Sequence, residues 1–391
     1  MKYVDEFRSA QLAQRIAARI AAEVQPDRRY AFMEFCGGHT HAIARHGVSA
    51  LLPAAVRMIH GPGCPVCVLP IGRIDQAIHL ALERGAIVAT YGDTLRVPAS
   101  AVAAAPARRP AAPLSLMKAK ALGGDIRMVY SPADALGLAR EHADREVVFF
   151  AIGFETTTPP TALLIRQAAA EGLRNLSVLC CHVLTPSAIT HILESAEVRQ
   201  WGTVPIDGFV GPAHVSVVIG SAPYEHFAVE HAKPVVIAGF EPLDVMQAVL
   251  MLVRQVNQGR SEVENEFSRA VTREGNRTAQ ALVAEVFEPR ERFEWRGLGE
   301  VPAGALKIRP AYAQFDAERR FGLTYRPVPD HKQCECGAIL RGVKRPTDCK
   351  LFGTLCTPGN PMGPCMVSSE GACAAHYAYG RFKDIEVVVA T

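Results

Sequence analysis

Short apolar segments that each run into a glycine-rich turn recur through residues 31–239, and they constrain the fold more than any other feature of the sequence. Segments with helical periodicity lie between them, the clearest being 74–84. Strands that alternate with helices predict mostly parallel sheets with helices on their faces. The apolar segments are 31–35, 56–59, 86–90, 147–152, 176–180, 208–210 and 235–238.

The order of turns in the first half of the chain recurs in the second half. Gly61-Pro62 is followed by Tyr91-Gly92-Asp93, and Gly211-Pro212 is followed by Gly239-Phe240-Glu241. We therefore expect an α/β protein with two similar Rossmann-like parallel-sheet domains. Their predicted bounds are 1–135 and 136–260, and a helical connector with a loop-rich, cysteine-rich domain follows at 261–391. The Ala/Pro-rich stretch 99–113 is a predicted linker. Ligands of open parallel sheets bind beyond the carboxyl ends of the strands, so the turns are expected to line a cleft.

Charge and hydropathy exclude two classes of partner. The 391 residues include 42 basic and 39 acidic side chains, giving a net charge of +3 without a lysine- or arginine-rich run. A basic nucleic-acid-binding surface is therefore not indicated. No apolar run approaches the roughly 18 residues that span a bilayer, and the N-terminus lacks the apolar core of a secretion signal. We expect a cytoplasmic protein that binds neither nucleic acid nor membrane.

Six of the 11 cysteines lie close together near the C-terminus. Cytoplasmic thiols in this number are more often ligands or catalysts than structural disulfides. Paired C-x(2–4)-C knuckles, which are typical of zinc, are absent, as are ferredoxin runs with two-residue gaps. Six thiols suggest four ligands of a [4Fe–4S] cluster and one redox pair, with a zinc-stapled or simply cysteine-rich tail as the alternative. The cysteines are Cys334, Cys336, Cys349, Cys356, Cys365 and Cys373.

The N-terminal cysteines occur in two turn motifs. Cys64 and Cys67 form a C-x-x-C pair, a spacing that allows either a redox disulfide or half a zinc site. Cys36 begins the motif Cys-Gly-Gly-His-Thr-His, where His39 and His41 are near enough to assist metal binding or to activate a nucleophile. A buried structural cysteine is the alternative for Cys36.

Three further polar residues follow predicted strands. Glu155, in Gly-Phe-Glu-Thr-Thr-Thr, either orients a substrate or occupies the first turn of a helix, where acids are favoured. His182 and His214 could reach the cleft, but each is more simply explained as hydrogen-bonded structure. Cys180 and Cys181 end an apolar segment and are expected in the core.

Taken in order, five of these motifs resemble those of the HypD family of hydrogenase maturation proteins over nearly the whole chain. They begin at Cys36, Gly61, Gly153, Gly211 and Cys349. The resemblance implies two similar α/β domains with an iron–sulfur domain. It further implies a scaffold on which the Fe(CN)2CO group of [NiFe] hydrogenases is assembled. The implied partners are a small HypC-type chaperone, a HypE-type cyanide donor and, through the chaperone, the hydrogenase large subunit.

The resemblance also implies a role for each motif residue. Cys36 would ligate the iron that carries cyanide and carbon monoxide, with His39 and Glu155 as further site residues. Cys64 and Cys67 would be a dithiol/disulfide pair beside it. The cluster region resembles ferredoxin:thioredoxin reductase, and that pattern implies a redox pair of Cys336 with Cys373. The ligands of the [4Fe–4S] cluster would then be Cys334, Cys349, Cys356 and Cys365.

These roles lead to a hypothesis of electron flow from the cluster through Cys336/Cys373 and Cys64/Cys67 to the iron at Cys36, by thiol–disulfide exchange. Electron transfer to the iron centre is the one catalytic activity that this interpretation includes. An autonomous iron–sulfur disulfide reductase acting on a partner protein is the main alternative. A non-redox zinc protein is the other.

Overall fold

A computed structural model describes residues 5–100, 113–202 and 205–380. Its core consists of two sheets in which every strand pair is parallel, and two antiparallel hairpin-like pairs accompany them. The strands are β1 Tyr30–Glu34, β2 Val56–His60, β3 Ile87–Thr90, β4 Ile126–Met128, β5 Val147–Gly153, β6 Leu176–His182, β7 Gly208–Pro212, β8 Val235–Ala238, β9 Val263–Asn265, β10 Phe287–Pro289, β11 Arg292–Trp295, β12 Gly299–Pro302 and β13 Leu306–Ile308.

Helices occupy most of the connections. The α-helices are α1 Ala10–Glu23, α2 Gly37–His46, α3 Val48–Leu51, α4 Pro65–Val68, α5 Ile71–Leu82, α6 Leu116–Ala121, α7 Pro132–Glu141, α8 Thr158–Ala170, α9 Thr185–Glu194, α10 Ala196–Gln200, α11 Ala213–Ile219, α12 Glu225–His231, α13 Pro242–Asn257, α14 Arg277–Val286, α15 Ala317–Arg320, α16 Cys336–Leu340 and α17 Ala372–Tyr379. Short 3-10 helices lie at Asp5–Arg8, Thr94–Arg96, Ala222–Tyr224, Pro310–Phe315, Pro346–Asp348 and Pro364–Met366.

The first sheet has the strand order β2-β1-β7-β8-β9. Helices α1 and α13 pack on one of its faces, where Ile20 of α1 and Phe32 of β1 belong to the same buried cluster. Helix α1 begins at the N-cap Ser9, whose hydroxyl accepts a hydrogen bond from the Leu12 amide at 3.4 Å. Its buried Ala13 and Ile20 lie on one face, as expected for an amphipathic helix that covers a sheet.

The second sheet has the strand order β4-β3-β5-β6. All seven residues of β5 and all seven of β6 are buried, because helices and loops cover both faces of a parallel sheet. Such strands are continuous apolar runs rather than alternating patterns, which explains why they are so visible in the sequence.

The two sheets do not divide the chain at the predicted domain bounds. Strands on both sides of position 135 contribute to each sheet: β1 pairs with β7, and β3 pairs with β5. The chain therefore builds part of the first sheet, then the whole second sheet, and finally returns to the first. The Gly61-Pro62 and Gly211-Pro212 turns, which the sequence analysis assigns to different domains, follow strands of the same sheet.

The remaining chain is poor in regular structure. Strand β10 pairs with β13 and β11 pairs with β12, after which loops with short helices carry the six C-terminal cysteines. This segment returns to the N-terminal part of the molecule, where the ring of Tyr379 lies 5.3 Å from that of His41. The C-terminal cysteines are thereby brought next to helix α2 and the motif that begins at Cys36.

The predicted fold class is thus confirmed: mixed α/β with parallel sheets and a loop-rich cysteine segment. Most of the predicted linker at 99–113 lies outside the described residues. Among the helices that the structure describes, none has the length and apolarity needed to cross a membrane.

Candidate functional site

Cys36 lies at the carboxyl end of the first sheet, between β1 and the first residue of α2. It is the N-cap of α2, and the residue is 8% exposed. Its backbone amide donates a hydrogen bond to Oε2 of Glu34 at 2.9 Å. The strand end and the helix start therefore place this thiol in a fixed position just beneath the surface.

Glu34 organises the polar contacts beneath Cys36. The side chain is fully buried at the end of β1. Besides the Cys36 amide, it accepts hydrogen bonds from the hydroxyl of Thr40 and from Nδ1 of His60, the latter at 2.9 Å. This carboxylate connects the loop at Cys36 to the end of β2, and it is not among the site residues predicted from the sequence. The available signal was a single acid at the end of an otherwise apolar strand.

Glycines let three motifs meet at Cys36. The amide of Gly37 donates to the carbonyl of Gly63 at 2.8 Å. A Cβ atom on Gly63 would overlap the backbone of Cys36, and one on Gly37 would overlap the side chain of Glu370. The loop at Cys36 is consequently packed between the C-x-x-C turn and the C-terminal segment, a contact that only glycine at these positions permits.

Burial and nearby carboxylates keep the thiol of Cys36 in its protonated form. Burial is the largest cause that raises its pKa, followed by the carboxylate of Glu370. The amide groups of Gly38 and His39, at the start of α2, oppose the rise, whereas Glu34 adds to it. A cation bound at the sulfur would offset both the burial and the carboxylates.

His39 presents one free nitrogen inside the fold. Its Nε2 lies 3.0 Å from the carbonyl oxygen of Ala238 and 2.9 Å from that of Gly239, so the proton sits on Nε2 and is donated there. Nδ1 is then a bare acceptor, and it is buried without a hydrogen-bond partner among the described residues. Burial lowers the pKa of His39, which keeps the ring neutral. By contrast, His41 is partly exposed, with Nδ1 3.3 Å from the Ser369 carbonyl oxygen.

Cys64 and Cys67 form a disulfide across the start of the short helix α4, with their Cα atoms 5.2 Å apart. Both residues are buried. The sulfur of Cys67 lies 3.9 Å from the carbonyl oxygen of Pro364, the residue before Cys365. The pair therefore lies between the loop at Cys36 on one side and the C-terminal cysteines on the other.

The C-terminal cysteines surround one small cavity. Its lining includes Cys334, Cys336, Cys349, Cys356 and Cys373, together with apolar side chains such as Ile339 and Met366. The sulfurs of Cys334 and Cys336 are 3.3 Å apart, and Cys336 also contacts the thiols of Cys365 and Cys373. All six thiols predicted for the cluster region are thus brought together.

The donors of this cavity fit an iron–sulfur cluster. Among the residues that the structure describes, no three histidine, cysteine or acidic side chains are arranged to hold one metal ion. The thiolates that hold a four-iron cluster each bind a different iron. A Cβ atom on Gly363 would overlap the sulfur of Cys334, so the glycine leaves the thiols room. Soft thiolates in a largely apolar lining fit such a group.

Glu155 occupies the corresponding turn of the second sheet, after β5. It is buried, and both its oxygens are used: Oε1 accepts from the Thr185 amide at 2.7 Å and Oε2 from the Thr185 hydroxyl at 3.1 Å. Burial raises its pKa to about 7. These contacts fix the start of α9, and its predicted role toward a substrate stays a prediction.

The other sequence-selected residues are held within the fold. His182 is fully buried, its Nε2 lies 3.0 Å from the Thr161 hydroxyl, and burial lowers its pKa to about 3. The ring of His214 lies 4.1 Å from that of Phe240, beside the Cys36 loop. Cys180 and Cys181 are buried in the core, as expected from the sequence.

Two residues connect the sheets at the site. Tyr224 is fully buried, and burial is the largest cause of its raised pKa, with Glu155 and then Cys36 raising it further. Glu370 packs against Gly37. Burial raises the pKa of Glu370 to about 7, and the carboxylates of Asp93, after β3, and of Glu34 contribute to the rise. Both strand ends and the cysteine segment therefore meet around Cys36. No local motif in the sequence marks Tyr224 or Glu370.

Comparisons with known proteins cover the whole chain. The sequence model of the HypD family, described as "Hydrogenase formation hypA family", matches residues 11–380. A protein of Cupriavidus necator named "Hydrogenase maturation factor HypD" is 74% identical over 390 residues, spanning 100% of both chains. Proteins of the same name are 65% identical in Rhizobium leguminosarum bv. viciae, covering 98% of this chain and 97% of theirs, and 42% identical in Escherichia coli, covering 97% and 98%.

Proposed function

The chain belongs to the HypD family of hydrogenase maturation factors, and from this premise we propose that it is the redox-active scaffold on which the Fe(CN)2CO group of [NiFe] hydrogenases is assembled. In this proposal the iron with its cyanide and carbon monoxide is the cargo, bound through the sulfur of Cys36. The protein acts in the cytoplasm and passes the finished group through its chaperone to the hydrogenase large subunit.

One observation carries the proposal: the Cys36 thiol lies where both sheets and the cysteine segment converge, with a disulfide on the path to the other thiols. Its raised pKa means that the thiol is poorly ionised until a cation arrives. The carboxylates of Glu34 and Glu370 favour such a cation electrostatically, and the bare Nδ1 of His39 is a further acceptor near the same turn. Thiolate is a suitable ligand for low-spin iron that carries cyanide and carbon monoxide.

A resident [4Fe–4S] cluster would be held by Cys334, Cys349, Cys356 and Cys365. Such a cluster supplies electrons one at a time at low potential. The remaining thiols, Cys336 and Cys373, form the proposed redox pair; they contact each other, and Cys336 also contacts Cys334 and Cys365. When this pair forms a disulfide, two electrons and two protons become available to open Cys64–Cys67 to a dithiol next to Cys36.

An open cavity next to the Cys36 loop is the proposed docking place of the partners. It is lined by Gly38, His41, His214, Phe240 and Glu370, together with Arg8, Arg45 and Glu241. A small HypC-type chaperone could insert its N-terminal cysteine here as a second iron ligand. A HypE-type donor would deliver cyanide to the same opening.

The buried position of the disulfide favours the scaffold over an autonomous disulfide reductase. Cys64 is 3% exposed and Cys67 is 0% exposed. A reductase of partner proteins needs a thiol that a partner disulfide can approach in line, and neither residue offers one. The buried pair is better suited to serve a small group bound inside the protein.

The test is an infrared spectrum of the anaerobically purified protein, co-expressed with its small chaperone. Metal-bound cyanide and carbon monoxide absorb where protein does not, and we expect bands that vanish in Cys36→Ala. Cys181→Ala, another buried cysteine, is the matched control and should keep them. A protein with intact iron and sulfide but without bands would favour the reductase, and a colourless protein with one zinc would favour the zinc protein.

The relay of thiols has a separate test. Cys336→Ser should abolish hydrogenase maturation while the visible absorbance of the cluster stays, because Cys336 is not among the proposed cluster ligands. Normal maturation by this variant would rule out the exchange between the two cysteine pairs. Loss of the absorbance would instead assign Cys336 to the cluster.

A further inference from the structure

Arg296 is a buried arginine between the C-x-x-C turn and the C-terminal cysteines. It follows β11 at the tip of the β11–β12 pair and is 4% exposed. Its backbone amide donates to the carbonyl of Val68, the last residue of α4, at 2.8 Å. The residue is therefore anchored on the helix that carries Cys67.

The side chain of Arg296 is only partly paired. Its Nε donates to the carboxylate of Asp330 in a close ion pair. Its Nη1 is buried and has no hydrogen-bond partner within the described ranges. A buried charged donor without an acceptor is unfavourable, so an arginine in this position indicates an acceptor supplied by something else.

Arg296 lies on the side of the thiol cavity that Cys334 forms. Arg296 and Asp330 line a groove together with Cys334, and Cys334 also lines the thiol cavity. Cys334 is partly exposed, whereas the other five C-terminal cysteines are buried. The guanidinium group therefore lies next to one of the predicted cluster ligands.

We propose that Arg296 is a positioning residue for the cluster, which compensates its negative charge and offers the unpaired Nη1 to its sulfur ligands. This inference rests on the proposed presence of a [4Fe–4S] cluster at the C-terminal cysteines. Four thiolates give such a cluster a net negative charge, and the electron added on reduction makes it more negative. A fixed cation stabilises the reduced form more than the oxidised form, so Arg296 raises the reduction potential of the one-electron couple.

A purely structural role for Arg296 makes a different prediction. If the side chain only tied the hairpin tip to Val68 and Asp330, its removal would lower stability and leave the potential of the loaded cluster unchanged. Arg341 provides a matched control on the same groove, because its three nitrogens are all used by the carbonyls of Gly202, Gly297 and Trp201, at 3.2, 2.6 and 3.3 Å.

The experiment is a redox titration of the anaerobically purified full-length protein, followed by visible absorbance and by the electron paramagnetic resonance signal of the reduced cluster. Arg296→Gln should lower the reduced-to-oxidised ratio at a fixed potential by about tenfold, which is about 59 mV for a one-electron couple. Arg296→Lys should stay nearer the unmodified protein because it keeps the charge. Asp330→Asn should shift the potential upward, and Arg341→Gln should not move it.

The outcomes are separable. An Arg296→Gln protein with full iron and sulfide and an unchanged potential overturns the proposal. If that variant does not retain its cluster, Asp330→Asn decides: an upward shift supports the proposal, and an unchanged potential overturns it. Unmodified protein without iron and sulfide would instead remove the cluster itself, and with it the redox part of the proposed function.

Discussion

The turn at Cys36 and the turn at Glu155 follow equivalent buried strands, one in each sheet, yet their polar groups are used very differently. Both carboxylate oxygens of Glu155 accept hydrogen bonds from Thr185. At Cys36, the thiol is buried next to carboxylates and Nδ1 of His39 has no partner in the described structure. Polar groups that the fold itself satisfies indicate architecture, whereas a buried group left unsatisfied calls for a further explanation, such as a bound ligand.

The first way to test this comparison is to fill the space that the Cys36 turn requires. We expect Gly63→Ala to destabilise the protein by about 3 kcal/mol and to abolish maturation, because the new Cβ meets rigid backbone of Cys36 and Phe35. Chemical denaturation and a hydrogenase maturation assay measure the two effects.

The control for this change lies beside the second sheet. Gly137 is inside helix α7, and a Cβ there meets nothing within 4 Å. Gly137→Ala should therefore stabilise the protein by about 0.5–1 kcal/mol and leave maturation intact. Equal effects of the two alanines would show that the Cys36 turn is not uniquely constrained.

The second test removes the ionisable group from the Glu155 turn. The pKa of Glu155 is about 7 when folded against an ordinary 4.5, so between these pH values the folded state binds more protons than the unfolded state. The free energy of unfolding then falls by on the order of 3 kcal/mol as the pH rises from 4.5 to 7, and this loss persists above pH 7.

Glu155→Gln should remove most of that pH dependence, since the amide oxygen can accept from the Thr185 amide while its NH2 group donates to the hydroxyl. Denaturation midpoints at pH 5 and pH 8 measure it, with unmodified protein alongside. A variant that keeps the full pH dependence would show that another group causes it. Loss of maturation with intact stability would give Glu155 the site role that the sequence suggests.

The third test concerns the acceptor beneath Cys36. Glu34→Gln replaces one accepting oxygen by an NH2 group that faces a donor, so we expect a loss of about 2 kcal/mol in stability and weaker infrared bands of bound cyanide. Thr40→Val removes only one of the donors and should cost about 1 kcal/mol. Similar costs for both variants would mean that Glu34 is not the organising residue.

The smallest effect is expected on the surface of the second sheet's helices. Arg140 pairs with Glu171 between α7 and the end of α8, and both side chains are solvent-accessible. Arg140→Ala should leave the melting temperature and maturation unchanged, because exposed ion pairs contribute little. A clear drop in either would point to a role for this surface that the structure does not suggest.

The sequence was sufficient for the class of fold and for the position of nearly every strand-end motif. It did not show how the strands are shared between the sheets, because buried parallel strands such as β1 and β3 present similar apolar runs to any partner. The pairing of β1 with β7 joins segments far apart in the chain, and no local pattern encodes it.

The candidate site was predictable where its chemistry is carried by cysteine and glycine motifs, which are rare and stand out. The site was not predictable where its residues are of common types whose importance depends on their being buried. Glu34 ends a strand as many surface acids do, and Arg296 sits in a turn as many exposed arginines do. Only the three-dimensional contacts show that both are buried beside thiols.

Because the first sheet is interrupted in the chain, its strands are synthesised at well-separated times. About 175 residues separate β1 from its neighbour β7, and at 5–20 residues per second the ribosome needs roughly 10–35 s to make them. During that interval β1 has one unpaired edge, and Cys36, Cys64 and Cys67 have left the ribosome without Glu370 to cover them. A nascent chain thus has thiols but no assembled pocket, and the pocket is complete only after translation has reached the C-terminal segment.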